Sequence, residues 1–259
     1  MCPAPDSDLI KRSIELLSHA RCAVALTGAG ISTPSGIPDF RSRQSGLWSQ
    51  FDPFEVASLS AFRTHPDRVF TWVKPLLEKI LNAKPNPAHI ALARLEAVRY
   101  LSGIITQNID DLHGLAGSRK VYEIHGNLRY ATCTNCYTKF AARTLLEAFV
   151  ERGDVPYCSA CGSLLKPDIV LFGEQLPHKV IFEAEKLLAE CDLVLVIGSS
   201  LEVSPAACMP VEALNRGAKL IIINNEPTYL DERAEVVFHA DVVDTLPRIA
   251  DEVVNARKR

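Results

Sequence analysis

Four cysteines in two C-x-x-C pairs, Cys133 with Cys136 and Cys158 with Cys161, are the clearest group whose types and spacing specify a chemistry. Two intervening residues let a tight turn aim both sulfurs at one ion, and two such turns complete a tetrahedral thiolate site. Thiolate softness selects zinc. All four positions are cysteine, so no coordination position is left open and the expected role of the ion is structural. A zinc ribbon that binds nucleic acid is the rival reading. The surroundings, "YATCTNCYTKF" and "PYCSACGSLLKP", hold few basic residues and disfavour it.

A second group sits where apolar runs end. "LTGAGISTPSGIPDFRS" follows "CAVAL" and opens like a dinucleotide-binding loop, with Gly28 and Gly30 spaced so that backbone amides can approach a diphosphate. Thr33 occupies the third glycine position, and Pro34 and Pro38 break the helix that should follow. The acidic ribose ligand usual about 20 residues on is missing. Asn224, Asn225 and Glu226 offer acceptors for ribose hydroxyls after "AKLIII", and Gly198, Ser199 and Ser200 form a further glycine turn. "LSGIIT" ends in Gln107, Asn108 and Asp110; Asp110 alone would read as a helix cap. His125, in "EIHGN", precedes the cysteine module. A lone histidine is more often structural than catalytic, and only its place between two chain regions favours catalysis.

The elements that must carry these groups alternate. Residues 22–27, 101–106, 191–198 and 218–223 are continuous apolar runs, as expected for parallel strands covered on both faces. Helical patterns lie in "DSDLIKRSIELLSHA", "NPAHIALARLEAV", "HKVIFEAEKLLAE" and "TLPRIADEVVNARK". The expected fold is therefore α/β, a Rossmann-like doubly wound parallel sheet whose strand ends share one crevice. Two stretches break the alternation: a proline-punctuated aromatic region and the cysteine region, which carries the helical pattern "RTLLEAFVERG" between its pairs. Together they predict a smaller lobe at about 35–95 and 126–166, a helical module plus a zinc ribbon. The large lobe then takes about 1–34, 96–125 and 167–259. The 259 residues, 47% hydrophobic, suffice for one such core. The net charge of -3 gives no reason to expect nucleic-acid or acidic-membrane partners. No apolar run reaches membrane-spanning length. The first residues lack a secretory pattern, so a cytoplasmic setting is expected.

Taken in order, GAGIS-x-x-SGIPDFR, TQNID-x-LH, IHGN, the two C-x-x-C pairs, FGE-x-LP, GSSL-x-V-x-P and a strand ending in asparagine resemble the sirtuins. These are NAD-dependent protein lysine deacylases, and the spacing is similar to their minimal prokaryotic members. The resemblance implies NAD as co-substrate, one structural zinc, and acyl-lysine proteins or peptides as partners. The acyl group would pass to ADP-ribose with release of nicotinamide. His125 would be the general base, with Asn108 and Asp110 ordering the ribose and nicotinamide. Gln107 would contact ribose and Ile109 would line the nicotinamide pocket. Gly28, Ala29, Gly30, Thr33, Asp39, Phe40 and Arg41 match the loop over NAD, with Phe40 shielding the reacting face and Arg41 near phosphate. Gly198, Ser199, Ser200, Asn224, Asn225 and Glu226 would hold phosphate and adenosine ribose, and Val242 adenine.

The segments "VLFGEQLP" and "SLEVSP" match the pair between which substrate adds as a strand, which implies Val170, Phe172, Gly173, Glu174 and Val203 as peptide contacts. Members that prefer succinyl or malonyl groups carry a tyrosine and an arginine where Val73 and Leu76 stand here. Acetyl or longer neutral acyl groups are therefore expected. Mono-ADP-ribosyl transfer from the same NAD site is the alternative activity. A non-catalytic binding module would be expected to lack Asn108, Asp110 or His125, and all three are present.

Overall fold

The computed structural model describes residues 6–40 and 46–256. Its strands are β1 (Ala23–Thr27), β2 (Gly103–Thr106), β3 (Val121–Glu123), β4 (Gly126–Cys133), β5 (Lys139–Ala141), β6 (Leu165–Ile169), β7 (Leu193–Ile197), β8 (Lys219–Ile223) and β9 (Val236–Phe238). The first helices are α1 (Ser7–His19), α2 (Pro53–Val56), α3 (Leu59–Thr64), α4 (Pro66–Asn82) and α5 (Pro87–Ala97). They are followed by α6 (Leu112–Leu115), α7 (Arg143–Arg152), α8 (His178–Glu190), α9 (Met209–Asn215) and α10 (Val242–Ala256).

Both faces of the main sheet are covered, which is why its strands read as unbroken apolar runs. Ala23, Ala25, Leu193, Leu195, Ile221 and Ile223 pack on one side with α1, α5 and α10. Their sequence neighbours Val24, Leu26, Val194, Val196, Leu220 and Ile222 pack on the other with α8 and α9, as the two-residue period of a strand requires. The six strands are parallel in the order β3-β2-β1-β7-β8-β9. Chain order reverses between β1 and β7, and a sheet of this kind opens its binding crevice at that reversal.

The small lobe pairs an antiparallel sheet, β5-β4-β6, with α7 and with helices α3 and α4. Phe62, Val69, Phe70 and Leu77 share one core with Ala131, Leu146, Phe149 and Leu165. Three prolines of this region open helices: Pro53, Pro66 and Pro87 stand in first turns, where a missing N–H costs nothing, while Pro75 lies inside α4. The lobe boundary at residue 95 requires correction. Ala88, Ala91, Leu92 and Leu95 of α5 are buried in the sheet core beside α10, so the chain has re-entered the large lobe by Pro87. At the other end, β6 pairs with β4 as far as Ile169, beyond the expected boundary at 166.

Candidate active site

Three glycines make the crevice possible. Gly198 has φ +59°, and a Cβ on it would lie 2.2 Å from the Ile31 amide nitrogen. Added Cβ atoms on Gly28 and Gly30 would come within 2.8 Å of Gly198. The loops after β1 and β7 are therefore in backbone contact, tied by Gly28 N–H to Ile197 O at 3.2 Å and Gly30 N–H to Gly198 O at 2.9 Å. In place of the Rossmann helix, the chain makes two 3-10 turns, Ala29–Ile31 and Thr33–Ser35, and leaves through Gly36 at φ +90°. Thr33 Oγ1 closes the first turn on Gly30 O at 3.1 Å.

These ends border a cleft of about 540 Å³ between the lobes. Gly28, Ala29, Gly30, Thr33, Asp39 and Phe40 line it from β1. Gln107, Asn108, Ile109 and Asp110 come from β2, and His125 from the link between β3 and β4. Gly198, Ser199 and Ser200 follow β7, Asn224, Asn225 and Glu226 follow β8, and Val242 opens α10. Val170, Phe172, Gly173, Glu174 and Val203 wall the remaining side. Arg41, expected near phosphate, lies outside the described residues.

Hydrogen bonds fix the orientation of the central groups. The His125 Nδ1 stands 3.1 Å from Gln107 O. A carbonyl only accepts, so Nδ1 carries the proton and Nε2 holds the basic lone pair. Gln107 Nε2 donates to Ser199 Oγ at 3.1 Å, bridging the second and seventh strand ends. Asn108 Nδ2 donates to Gly28 O at 3.1 Å and to Ser32 Oγ at 3.0 Å. Ser32 in turn donates to Asp110 Oδ2 at 2.7 Å, while Leu112 N–H caps Oδ1 at 2.9 Å. Burial pushes the Asp110 carboxyl above its ordinary range, against the pull of these two donors.

Two buried histidines stand behind this chain, and neither was among the sequence-derived site residues. Nδ1 of His89 accepts the Asn86 N–H at 3.4 Å. The ring proton is therefore on Nε2, which donates to Ser32 Oγ at 3.4 Å. The neighbouring His113 has its Nε2 2.9 Å from Thr27 Oγ1. That hydroxyl gives its proton to Thr106 Oγ1 at 2.8 Å, so the histidine is the donor. Thr106 Oγ1 also accepts the Asn108 N–H at 3.1 Å. The two rings lie edge to face, 4.9 Å apart. Desolvation lowers the His89 pKa to about 4, and desolvation together with its neighbour lowers that of His113 to about 3, so both are neutral. Ser32 was visible inside the GAGIS run but had no assigned partner. The histidines sit in "NPAHIAL" and "DLHGL", where nothing in the local pattern separates a relay from core filling.

Beyond Asp110 the cleft becomes apolar. Ile37, Leu76 and Ile80 form a buried cluster with Trp72 and Phe40 packed against it. Phe40 stacks on Trp48 at 5.1 Å, and Trp48 on Trp72 at 5.6 Å. Val73 and Leu76 both line this chamber.

The four cysteine sulfurs lie within 4.8 Å of one another, with Cys133 and Cys161 at 3.4 Å and Cys136 and Cys158 at 3.6 Å. A tetrahedron with metal–sulfur bonds of about 2.3 Å has sulfurs about 3.8 Å apart, so the donor set fits zinc. Asn135 and Cys136 each direct a backbone N–H at Cys133 Sγ, at 3.4 Å.

The model of the Sir2 family matches residues 28–205. The NAD-dependent protein deacylase 2 of Archaeoglobus fulgidus is 43% identical over 96% of this chain and 98% of its own. The chain belongs to the Sir2 family. Among solved structures, one described as the structural basis for the mechanism and regulation of Sir2 enzymes aligns with a TM-score of 0.91 and 43% identity. It covers 97% of this chain and all of that one. A Sir2 complex with a p53 peptide and NAD+ aligns with a TM-score of 0.85 and 42% identity, covering 94% of this chain and 98% of its own. No described helix is long and apolar enough to cross a membrane.

Proposed function

We propose that this Sir2 chain is an NAD-dependent protein lysine deacylase, and that the cleft between its lobes takes NAD and an acyl-lysine side chain. The convergence of His125, Asn108 and Asp110 on one cleft, beside the glycine turns of the sheet reversal, carries the reading. Bound NAD supplies the ADP-ribosyl acceptor. The net reaction consumes acyl-lysine, NAD and water, and yields lysine, nicotinamide and O-acyl-ADP-ribose.

Each residue then has a task set by its hydrogen bonds. His125 keeps a proton on Nδ1 against Gln107 O, and in its neutral form takes a proton on Nε2 from a ribose hydroxyl as general base. The Ala29 and Ser199 backbone faces diphosphate, because the Gly28 and Gly30 amides are spent on Ile197 and Gly198. Ser32 holds Asp110 and Asn108 at a fixed spacing, so that carboxylate and carboxamide meet the nicotinamide amide and its ribose together. Gln107 reaches the same ribose from the second strand end, held there by Ser199, while Asn224, Asn225 and Glu226 take the adenosine ribose and Val242 the adenine. Phe40 and the tryptophans behind it exclude water from the reacting face. The peptide adds as a strand between the walls at Val170–Glu174 and Val203, and one zinc ion is held by the four cysteines.

The acyl chamber favours acetyl and longer neutral chains over succinyl or malonyl ones. No described residue lining the cleft is a lysine or arginine, so a terminal carboxylate would be desolvated without a partner. The test is a panel of acetyl-, butyryl-, hexanoyl- and succinyl-lysine peptides, with nicotinamide and O-acyl-ADP-ribose measured with and without NAD. Formation of both products with the neutral acyl peptides supports the reading. Label retained on protein as ADP-ribose, without deacylated peptide, would replace it with ADP-ribosyl transfer.

A further inference from the structure

Lys166 is a part-buried charge with no place in the chemistry above. It lies on β6, opposite Thr132 and one residue from Leu165, which pairs with Cys133. Its side chain and that of Glu174 are only 16% and 20% exposed. An ammonium has three donors, and all three are used: Pro167 O at 3.0 Å, Ile169 O at 2.8 Å and Glu174 Oε2 at 3.1 Å. The same carboxylate oxygen accepts the Leu171 N–H at 2.8 Å. With its protons committed, Lys166 serves neither as an acid nor as a ligand for substrate. It can only hold backbone.

The backbone it holds is the wall of the cleft. Val170 N–H donates to His125 O at 2.8 Å, joining the wall to the residue before β4. Phe172 exchanges backbone bonds with the 57–59 segment, donating to Ala57 O and accepting from Leu59, both at 2.9 Å. Between these ties the chain reverses at Gly173, φ +85°, and Glu174 N–H returns to Leu171 O at 3.0 Å. Lys166 therefore spans the whole bend, from the last strand of the cysteine lobe to the residue that ends the wall.

We propose that Lys166 is a positioning residue: through Glu174 and the Pro167 and Ile169 carbonyls it sets the Val170–Glu174 edge for the acyl-peptide. The inference rests on the reading of that edge as the peptide wall. Removing the ammonium strands two carbonyls and a carboxylate in a part-buried site, and the bend relaxes. A displacement of about 1 Å at such an edge is enough for a large loss of productive binding. In the reading above, the diphosphate and adenosine of NAD are held at the ends of β1, β7 and β8, away from this bend, so NAD affinity is expected to hold.

The experiment compares wild type with Lys166→Met, Lys166→Arg, Glu174→Gln and the double variant Lys166→Met/Glu174→Gln, and includes Phe172→Ala as a reference for the wall. KM for acetyl-peptide, KM for NAD, kcat, bound zinc and melting temperature are measured for each. The expected result for Lys166→Met is a peptide KM raised about tenfold, with NAD KM and saturating kcat within about twofold and zinc retained. Lys166→Arg recovers most of the loss, and the double variant is no worse than Lys166→Met, because both changes break one clamp. Equal changes in the two KM values, a failure of arginine to rescue, or losses that merely follow melting temperature would overturn the proposal. If Lys166→Met does not fold, Lys166→Gln, which keeps a donor for the bend, carries the expectation of a raised peptide KM and the same refutation. A Phe172→Ala variant with unchanged peptide KM would instead remove the underlying reading of the wall.

Discussion

The paired histidines behind the site should make the fold acid-sensitive. Both rings are fully or almost fully excluded from water, at 0% exposure for His89 and 2% for His113. Their folded pKa values, about 4 and about 3, lie below the ordinary 6.5. Both are depressed, so the stability is present above pH 6.5 and is lost as pH falls toward 3. At pH 5.0 an unfolded imidazole is 1.5 units below its pKa and gains about 2 kcal/mol from protonation, a gain the folded rings do not share. Two rings therefore cost about 4 kcal/mol between pH 7.5 and 5.0, a large share of a typical stability of about 5–15 kcal/mol. Asp110 works in the opposite direction, because its raised carboxyl pKa favours the folded state in acid. Urea unfolding at the two pH values isolates the histidine contribution when wild type is compared with His113→Gln. This variant keeps a donor for Thr27 and removes one titration. The variant should start less stable yet lose about 2 kcal/mol less on acidification. Parallel losses in the two proteins would refute the assignment of the His113 ring as buried and neutral.

Other outcomes are equally concrete. Asp110→Asn removes a carboxylate that is buried at a cost, so the melting temperature at pH 7.5 should hold or rise while nicotinamide release falls by at least about tenfold; a fall in both would contradict the raised pKa. Cys161→Ser should lose zinc and expose residues 126–169 to limited proteolysis, with the parallel sheet still folded; intact resistance without metal would count against a structural ion. In the Gly198→Ala variant, the new Cβ meets the Ile31 amide at 2.2 Å. A loss of about 3 kcal/mol or more in urea unfolding is expected, and a neutral effect would mean the two loops are not in contact. Installing Val73→Tyr with Leu76→Arg should confer desuccinylation at the expense of hexanoyl turnover in the peptide panel; unchanged selectivity would place the acyl chain elsewhere.

Much of this was legible in the chain. Continuous apolar runs ending in "GAG", "QNID", "SS" and "NNE" marked strands whose ends share a crevice, and the paired C-x-x-C units marked a metal site, because each signal is local. Boundaries were less legible. Helix α5 was legible as a helix, but the expected lobe boundary cut it off from the sheet, and the burial of Ala88, Leu92 and Leu95 in the sheet core puts it in the large lobe. The relay behind the site was not legible at all. Ser32, His89 and Asp110 are far apart in the chain, and a hydroxyl, an imidazole and a carboxyl carry no mark that they will meet.

By itself the sequence determined four of the six parallel strands, the glycines that permit backbone contact, the cysteine donor set and the identity of the polar groups at the strand ends. These follow from side-chain type and short spacing. The tertiary structure alone decided which nitrogen of His125 keeps its proton, that His89 and His113 are neutral donors, and that Lys166 spends all three of its protons on one bend. Protonation state and hydrogen-bond direction depend on the nearest partners and on exclusion of water, and here those partners come from remote parts of the chain.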